Sequence, residues 1–141
     1  MSIVGLNYTK ISAEKTAPLK GKININNNVA IDDISSSQLS FYGSKTESLV
    51  FKFTFTSKYE PKMGLIEIKG ELIYKTDKKA AKEVEDKWKK SKAIKKSLMA
   101  EVSNYLLEKC NIEALWLSKD MGFPPPVPMP KIALDDSKEG S

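Results

Sequence analysis

The hydrophobic period of this chain changes once, near Thr76, and that change limits the folds open to it. Before it, apolar residues alternate with polar ones. Phe51, Phe53 and Phe55 fall on one side of the run from Ser48 to Ser57, with Lys52, Thr54 and Thr56 on the other. A period of two marks a strand with one buried face. From Gly21 onward Ile23, Ile25, Val29 and Ile31 alternate in the same way with Lys22, Asn24, Asn26, Asn28 and Asp32. A further strand from about Met63 to Lys75 puts Ile66, Ile68, Leu72 and Tyr74 inward and Glu67, Lys69 and Glu71 outward. Gly70 interrupts it, which suits a bend or bulge. Residues Asp33 to Gln38 read as a turn or crossover, followed by Leu39, Phe41 and Tyr42 and a stop at Gly43-Ser44. Tyr59-Glu60-Pro61-Lys62 makes a turn. The first 20 residues show little periodicity and read as a loose or early edge segment.

After Thr76 the spacing becomes helical. Thr76 or Asp77 is placed to cap a helix whose stripe is Ala81, Val84 and Trp88. The pattern weakens at Ser91-Lys92, where a break is expected. A stronger helix begins near Ile94, with Leu98, Val102, Tyr105 and Leu106 on one face and Met99 and Cys110 beside it. Asn111 to Gly122 is rich in apolar groups and reads as only partly helical. Four strands followed by helices predict an α+β fold: a four-stranded antiparallel sheet with helices packed on one face and solvent on the other.

Five of the seven prolines lie in Phe123-Pro124-Pro125-Pro126-Val127-Pro128-Met129-Pro130. This run excludes a helix and a central strand. It is a stiff, extended arm near polyproline II, with Phe123, Val127 and Met129 projecting as a lid or docking strap.

At 141 residues, 40% apolar and 29% charged, the chain has the balance of one folded domain, placed at residues 1–132 with a flexible charged tail at 133–141. No apolar stretch approaches the ~20 residues of a membrane span, so no membrane insertion is expected. Met1 to Lys10 has no basic start followed by an apolar core, so no signal peptide is expected. The single cysteine, Cys110, fits a reducing cytoplasm. There is no histidine and no arginine. The usual imidazole acid/base and the commonest metal ligand are therefore missing, and so are bidentate guanidinium contacts to phosphate or guanine. No cofactor or metal is expected.

Charge is uneven. Lys75 to Lys96 holds ten lysines and four carboxylates, a net of +6 against +5 for the whole chain. A solvated helix face accounts for this run more simply than a nucleic-acid or lipid patch. Leu39, Phe41, Tyr42, Trp116, Leu117, Phe123, Val127 and Met129 are more apolar surface than one sheet and two helices hide, so oligomerisation or a partner is expected to cover them.

The order of elements, with the helix Leu98-Met99-Ala100-Glu101-Val102-Ser103-Asn104-Tyr105-Leu106-Leu107 followed by Gly122-Phe123 and the proline run, resembles the SecB protein-export chaperone family over residues 21–132. The basic balance is closer to an archaeal, atypical or antitoxin-associated relative than to the acidic bacterial export factor. The resemblance implies an ATP-independent holdase binding unfolded or preprotein clients in apolar grooves, assembled as a dimer of dimers. Carried over by position, client contacts would come from Phe41, Tyr42, Leu98, Val102, Leu106, Trp116, Met121, Phe123, Val127 and Met129. Strand Lys22–Ile31 and the outer face of the helix around Met99 to Cys110 would form the subunit interface.

Two other readings compete. A basic nucleic-acid-binding or non-catalytic interaction domain follows from the pI of about 9.1. Such a domain stacks bases on aromatics of the outward sheet face, which here carries Asn, Thr, Lys and Glu, so nucleic acid is disfavoured. Enzymatic function is not expected, for there is no phosphate loop, no HExxH and no histidine triad.

Overall fold

The computed structural model describes residues 2–41 and 44–127, with side chains at all of these except 38–41 and 44–46. Tyr42, Met129 and the expected tail 133–141 lie outside the described residues, as does the Phe41 side chain.

The chain forms β1 (Ser2–Lys15), β2 (Asn24–Phe41), β3 (Ser44–Glu60), β4 (Gly64–Lys75), α1 (Lys78–Ser91) and α2 (Lys96–Met121). The strands make one sheet in the order β1-β4-β3-β2, antiparallel throughout. Fold class is as the sequence implied, but the four strands are not the four expected. The first 15 residues are a full edge strand. Their alternation is hidden by two bulges, one between Ile3 and Gly5 and one between Tyr8 and Lys10. Each adds a residue that moves every later side chain to the other face. The expected crossover at Asp33–Gln38 is also strand: β2 runs on through it, and Ser35, Ser36 and Ser37 pair with Val50, Leu49 and Ser48. A bulge between Ile31 and Asp33 switches the parity there, so the alternation that begins at Ile23 stops while the pairing continues. Gly70 is not itself the bulge. It faces the bulged Tyr8 on β1, and a Cβ there would run into Asn7 O and the Phe53 ring.

One face of the sheet is buried. Phe51, Phe53 and Phe55 from β3 interleave with Ile66, Ile68 and Leu72 from β4, all at 1% exposure or less. Burying each side chain of this size contributes about 1.5–3 kcal/mol, which makes this layer the main stabilising element. The helices close it. Asp77 caps α1 by accepting from Ala80 N–H at 2.7 Å, an interaction typically contributing ~1 kcal/mol. Ala81 and Trp88 are the buried residues of α1, and the indole N–H donates to Asp33 Oδ1 at 3.3 Å. The expected break falls at Lys92, which ends α1 in the left-handed region at φ 53°.

Helix α2 is unbroken to Met121, including the stretch expected to be partly helical. Its buried residues are Val102, Leu106, Cys110, Ala114 and Ser118, four apart throughout. With 3.6 residues per turn, each step of four rotates the buried side by ~40°, so the stripe winds around the helix as it crosses the sheet. Consequently the C-terminal half keeps no fixed apolar face, which is why its periodicity fades in the sequence.

Candidate functional site: an open groove and a closed strap

At one end of the sheet residues of α1 and α2 line a groove of about 370 Å³. Leu49, Tyr74 and Thr76 are buried and form its floor, with half-buried Val84 and Leu98 as walls. The exposed Glu83, Lys95, Ser97 and Glu101 stand at the rim. The floor follows from register: Leu49 pairs with Tyr74, the last inward position of β4 before the chain passes into α1. Tyr74 Oη donates to Glu101 Oε2 at 3.1 Å. Burial, and then this carboxylate, raise the Tyr74 pKa, so its hydroxyl stays a donor. The groove has an apolar bottom and ionic lips, suited to holding one large apolar side chain of an extended segment.

The opposite end is closed by the proline arm. Gly122, left-handed at φ 71°, terminates α2, and Phe123 N–H then donates to Ser118 O at 2.8 Å. That cap turns the arm back onto the sheet. The Phe123 ring is 6% exposed and stacks on Tyr59, with centroids 4.3 Å apart and planes 15° from parallel. It rests directly on Gly64, where any Cβ would overlap the ring. Lys15 Nζ lies 5.7 Å from the ring centroid. Tyr59 Oη donates to Pro124 O at 2.8 Å and Asn27 Nδ2 to Pro126 O at 2.7 Å. Burial pushes the Tyr59 phenol up to about 12.

The expected client-contact residues separate into four places. Leu98 lines the open groove. Val102 and Leu106 are fully buried beneath α2 and reach no open surface. Trp116, at 58% exposure, lies on the outer side of α2 one turn from exposed Ile112, with Lys119 Nζ 5.3 Å from its ring centroid. Met121, Phe123 and Val127 belong to the strap end, where Phe123 is buried and the other two are half-buried. Sequence reading missed Leu49, Tyr74 and Val84 in the groove, and Asn27, Tyr59 and Gly64 under the strap. Their pattern marks them only as core or turn residues. What distinguishes them is their tertiary place, between the two helices or beneath the arm.

The outward sheet face is a mixed-charge surface. Lys10 pairs with Glu67 at 2.8 Å, and this hydrogen bond lowers the Glu67 pKa. Thr54 donates to Asp32 at 2.5 Å. Among the described residues no cluster of histidine, cysteine and carboxylates is arranged to hold a metal ion. No helix among them is long and apolar enough to cross a membrane. Cys110 is buried, and burial raises its thiol pKa to about 12, so it is held as an inert core thiol.

No protein-family model matches the sequence, and no curated protein matches it by sequence. The fold is similar to that of a solved structure, the Mycobacterium tuberculosis SecB-like chaperone in complex with a ChAD peptide from an antitoxin. The TM-score is 0.53 at 8% identity, over 93% of this chain and 88% of that one. At that identity the likeness is one of fold: a four-stranded antiparallel sheet carrying two helices, the architecture of a SecB-like chaperone.

Proposed function

We propose that the protein is an ATP-independent holdase that captures unfolded or preprotein segments, without enzymatic activity of its own. The observation that carries this reading is the open groove lined from α1 and α2, in which half-buried Val84 and Leu98 present apolar walls above a floor of Leu49 and Tyr74. The fold likeness to a peptide-bound SecB-like chaperone supports it. Each large apolar side chain that enters such a groove contributes about 1.5–3 kcal/mol, so a few contacts along a chain hold it without a defined sequence. Leu98 is then a primary contact. Exposed Trp116 and Ile112 on α2 extend the apolar track or are covered by further subunits of a homo-oligomer, a dimer of dimers by the family resemblance. The setting is the cytoplasm, with export as one use of the captured chain.

The test is aggregation of an unrelated unfolding protein, followed by light scattering without nucleotide. Stoichiometric amounts of this protein are expected to suppress scattering, and Val84→Glu/Leu98→Glu to abolish the suppression while the variant stays folded. Equal suppression by that double variant would sink the groove as the capture site.

A further inference from the structure

We propose that the seat beneath the strap is a second peptide-binding site, made for an aromatic residue followed by the carbonyls of an extended, proline-containing segment of another protein. In this structure the chain's own residues 123–126 fill it. The proposal goes beyond client capture in the open groove, because a ligand here is recognised by an anchor and a backbone conformation and need not be unfolded.

Three features point to a seat for a ligand. First, beyond the helix cap made by Phe123 N–H, the polar contacts of residues 124–126 fall on main-chain carbonyls: Tyr59 Oη on Pro124 O and Asn27 Nδ2 on Pro126 O. Proline has no N–H to offer, so a segment read through acceptors alone is read in the one way open to a proline run. Both donors are side chains projecting from strands, and they remain in place if the arm leaves. Any residue supplies a carbonyl, so selectivity rests on the ring and on the extended conformation. Second, the ring site is shaped by the sheet. Gly64 supplies a flat bed with no Cβ, Tyr59 supplies a parallel ring, and Lys15 supplies a cation near the anchor's ring. An aromatic ring from another chain meets the same three surfaces. Third, the seat is not walled off. Pro125 is exposed and Pro124 and Val127 are half-buried, so the arm lies at the surface with its outer side open to solvent.

The tethered arm acts as a competitor at high effective concentration, on the millimolar scale for a short connection. Its stiffness means that little entropy is lost on seating, for the arm and for a ligand of the same type. The intact protein should therefore bind a free peptide of this kind weakly, and release of Phe123 should unmask the site.

The probe is a fluorescein-labelled hexapeptide of the arm itself, Gly-Phe-Pro-Pro-Pro-Val, titrated into the full-length protein and followed by anisotropy. Full-length Phe123→Ser is expected to bind it at least tenfold more tightly than the unsubstituted protein. Adding Tyr59→Phe and Asn27→Ala is expected to remove most of that gain, and serine in place of the peptide's phenylalanine to remove all of it. Equal binding by Phe123→Ser and the unsubstituted chain, or equal binding of the serine peptide, overturns the proposal. Should Phe123→Ser fail to fold, the unsubstituted chain carrying fluorophenylalanine at its five phenylalanines gives an independent reading. Excess peptide should then shift the one fluorine resonance that Phe123→Leu removes, and absence of that shift overturns the proposal. Failure of the aggregation assay above would leave this peptide result untouched, so the two readings fall separately.

Discussion

The two ends of the sheet's inner face are built from the same materials and finished differently. At one end Tyr59 and Gly64 sit under a proline arm, with the ring of Phe123 stacked into place. At the other, ten residues back along β3, Leu49 and Tyr74 lie under a gap between α1 and α2. The separation is ~33 Å at 3.3 Å per strand residue, and α2, with 26 residues, is long enough to reach from one to the other. Each end has a tyrosine whose hydroxyl donates outward, to a proline carbonyl at the closed end and to Glu101 at the open one. The difference is what the chain has left over to cover the ring. Apolar surface and a phenol make a core when the chain supplies its own aromatic partner. They make a groove when it does not.

Helix α2 is the common member, so the comparison breaks most completely at its middle. Leu106 is fully buried between the two ends. Leu106→Ala is expected to cost about 2–5 kcal/mol, and to loosen groove and strap together. Thermal unfolding measures the first, and hydrogen exchange at Leu49 and at Phe123 measures the second. Loss of protection at one end only would show that the two are held independently.

The second test touches the open end alone. Val84 and Leu98 are half-buried walls, so Val84→Glu/Leu98→Glu is expected to reduce capture of an unfolded client at least tenfold with a smaller change in melting temperature. The third touches the closed end alone. Tyr59→Phe keeps the stacked ring and removes one donor to Pro124, for an expected loss of about 1 kcal/mol. Its readout is faster exchange of the Phe123 amide with capture in the groove unchanged.

Much of the fold was legible because the central strands obey a simple rule. Phe51, Phe53 and Phe55 alternate without a fault, and the structure places all three in the core. Edges were harder. In β1 and β2, bulges near Val4, Thr9 and Asp32 shift the parity that a reader relies on, and pairing with a neighbour persists where the pattern lapses. The end of α2 was misread for a related reason, since a stripe of period four drifts out of any fixed face. The proline arm was legible as a strap, yet nothing in its sequence says what it lies on. That depends on Gly64 and Tyr59, which meet across the β3–β4 turn and look in sequence like ordinary turn and strand residues. The groove was least legible of all, because its lining comes from two strands and two helices that sequence alone does not bring together.

The smallest expected effect separates the two ends by acid. Ser36 N–H donates to Glu85 Oε2 at 2.6 Å, tying α1 to β2 near the open end, and Lys89 lies 3.6 Å from the same carboxylate. The Ser36 backbone hydrogen bond is the main reason the Glu85 pKa falls below its ordinary 4.5. A carboxylate depressed in the folded state stabilises above its unfolded value, and that contribution is lost as pH falls through the folded one. Glu85→Ala should therefore cost up to about 1 kcal/mol at pH 7, with the difference from the unsubstituted protein shrinking as pH drops below 4.5. The strap contacts described above include no carboxylate. Tyr59, raised from 10.0 to about 12, keeps its proton at every pH below 10, so strap closure should not respond to acid. Mild acid is thus expected to speed exchange in α1 before it affects the Phe123 amide. Simultaneous loss of protection at both sites would mean that Glu85 holds the whole helical layer and not only its open end.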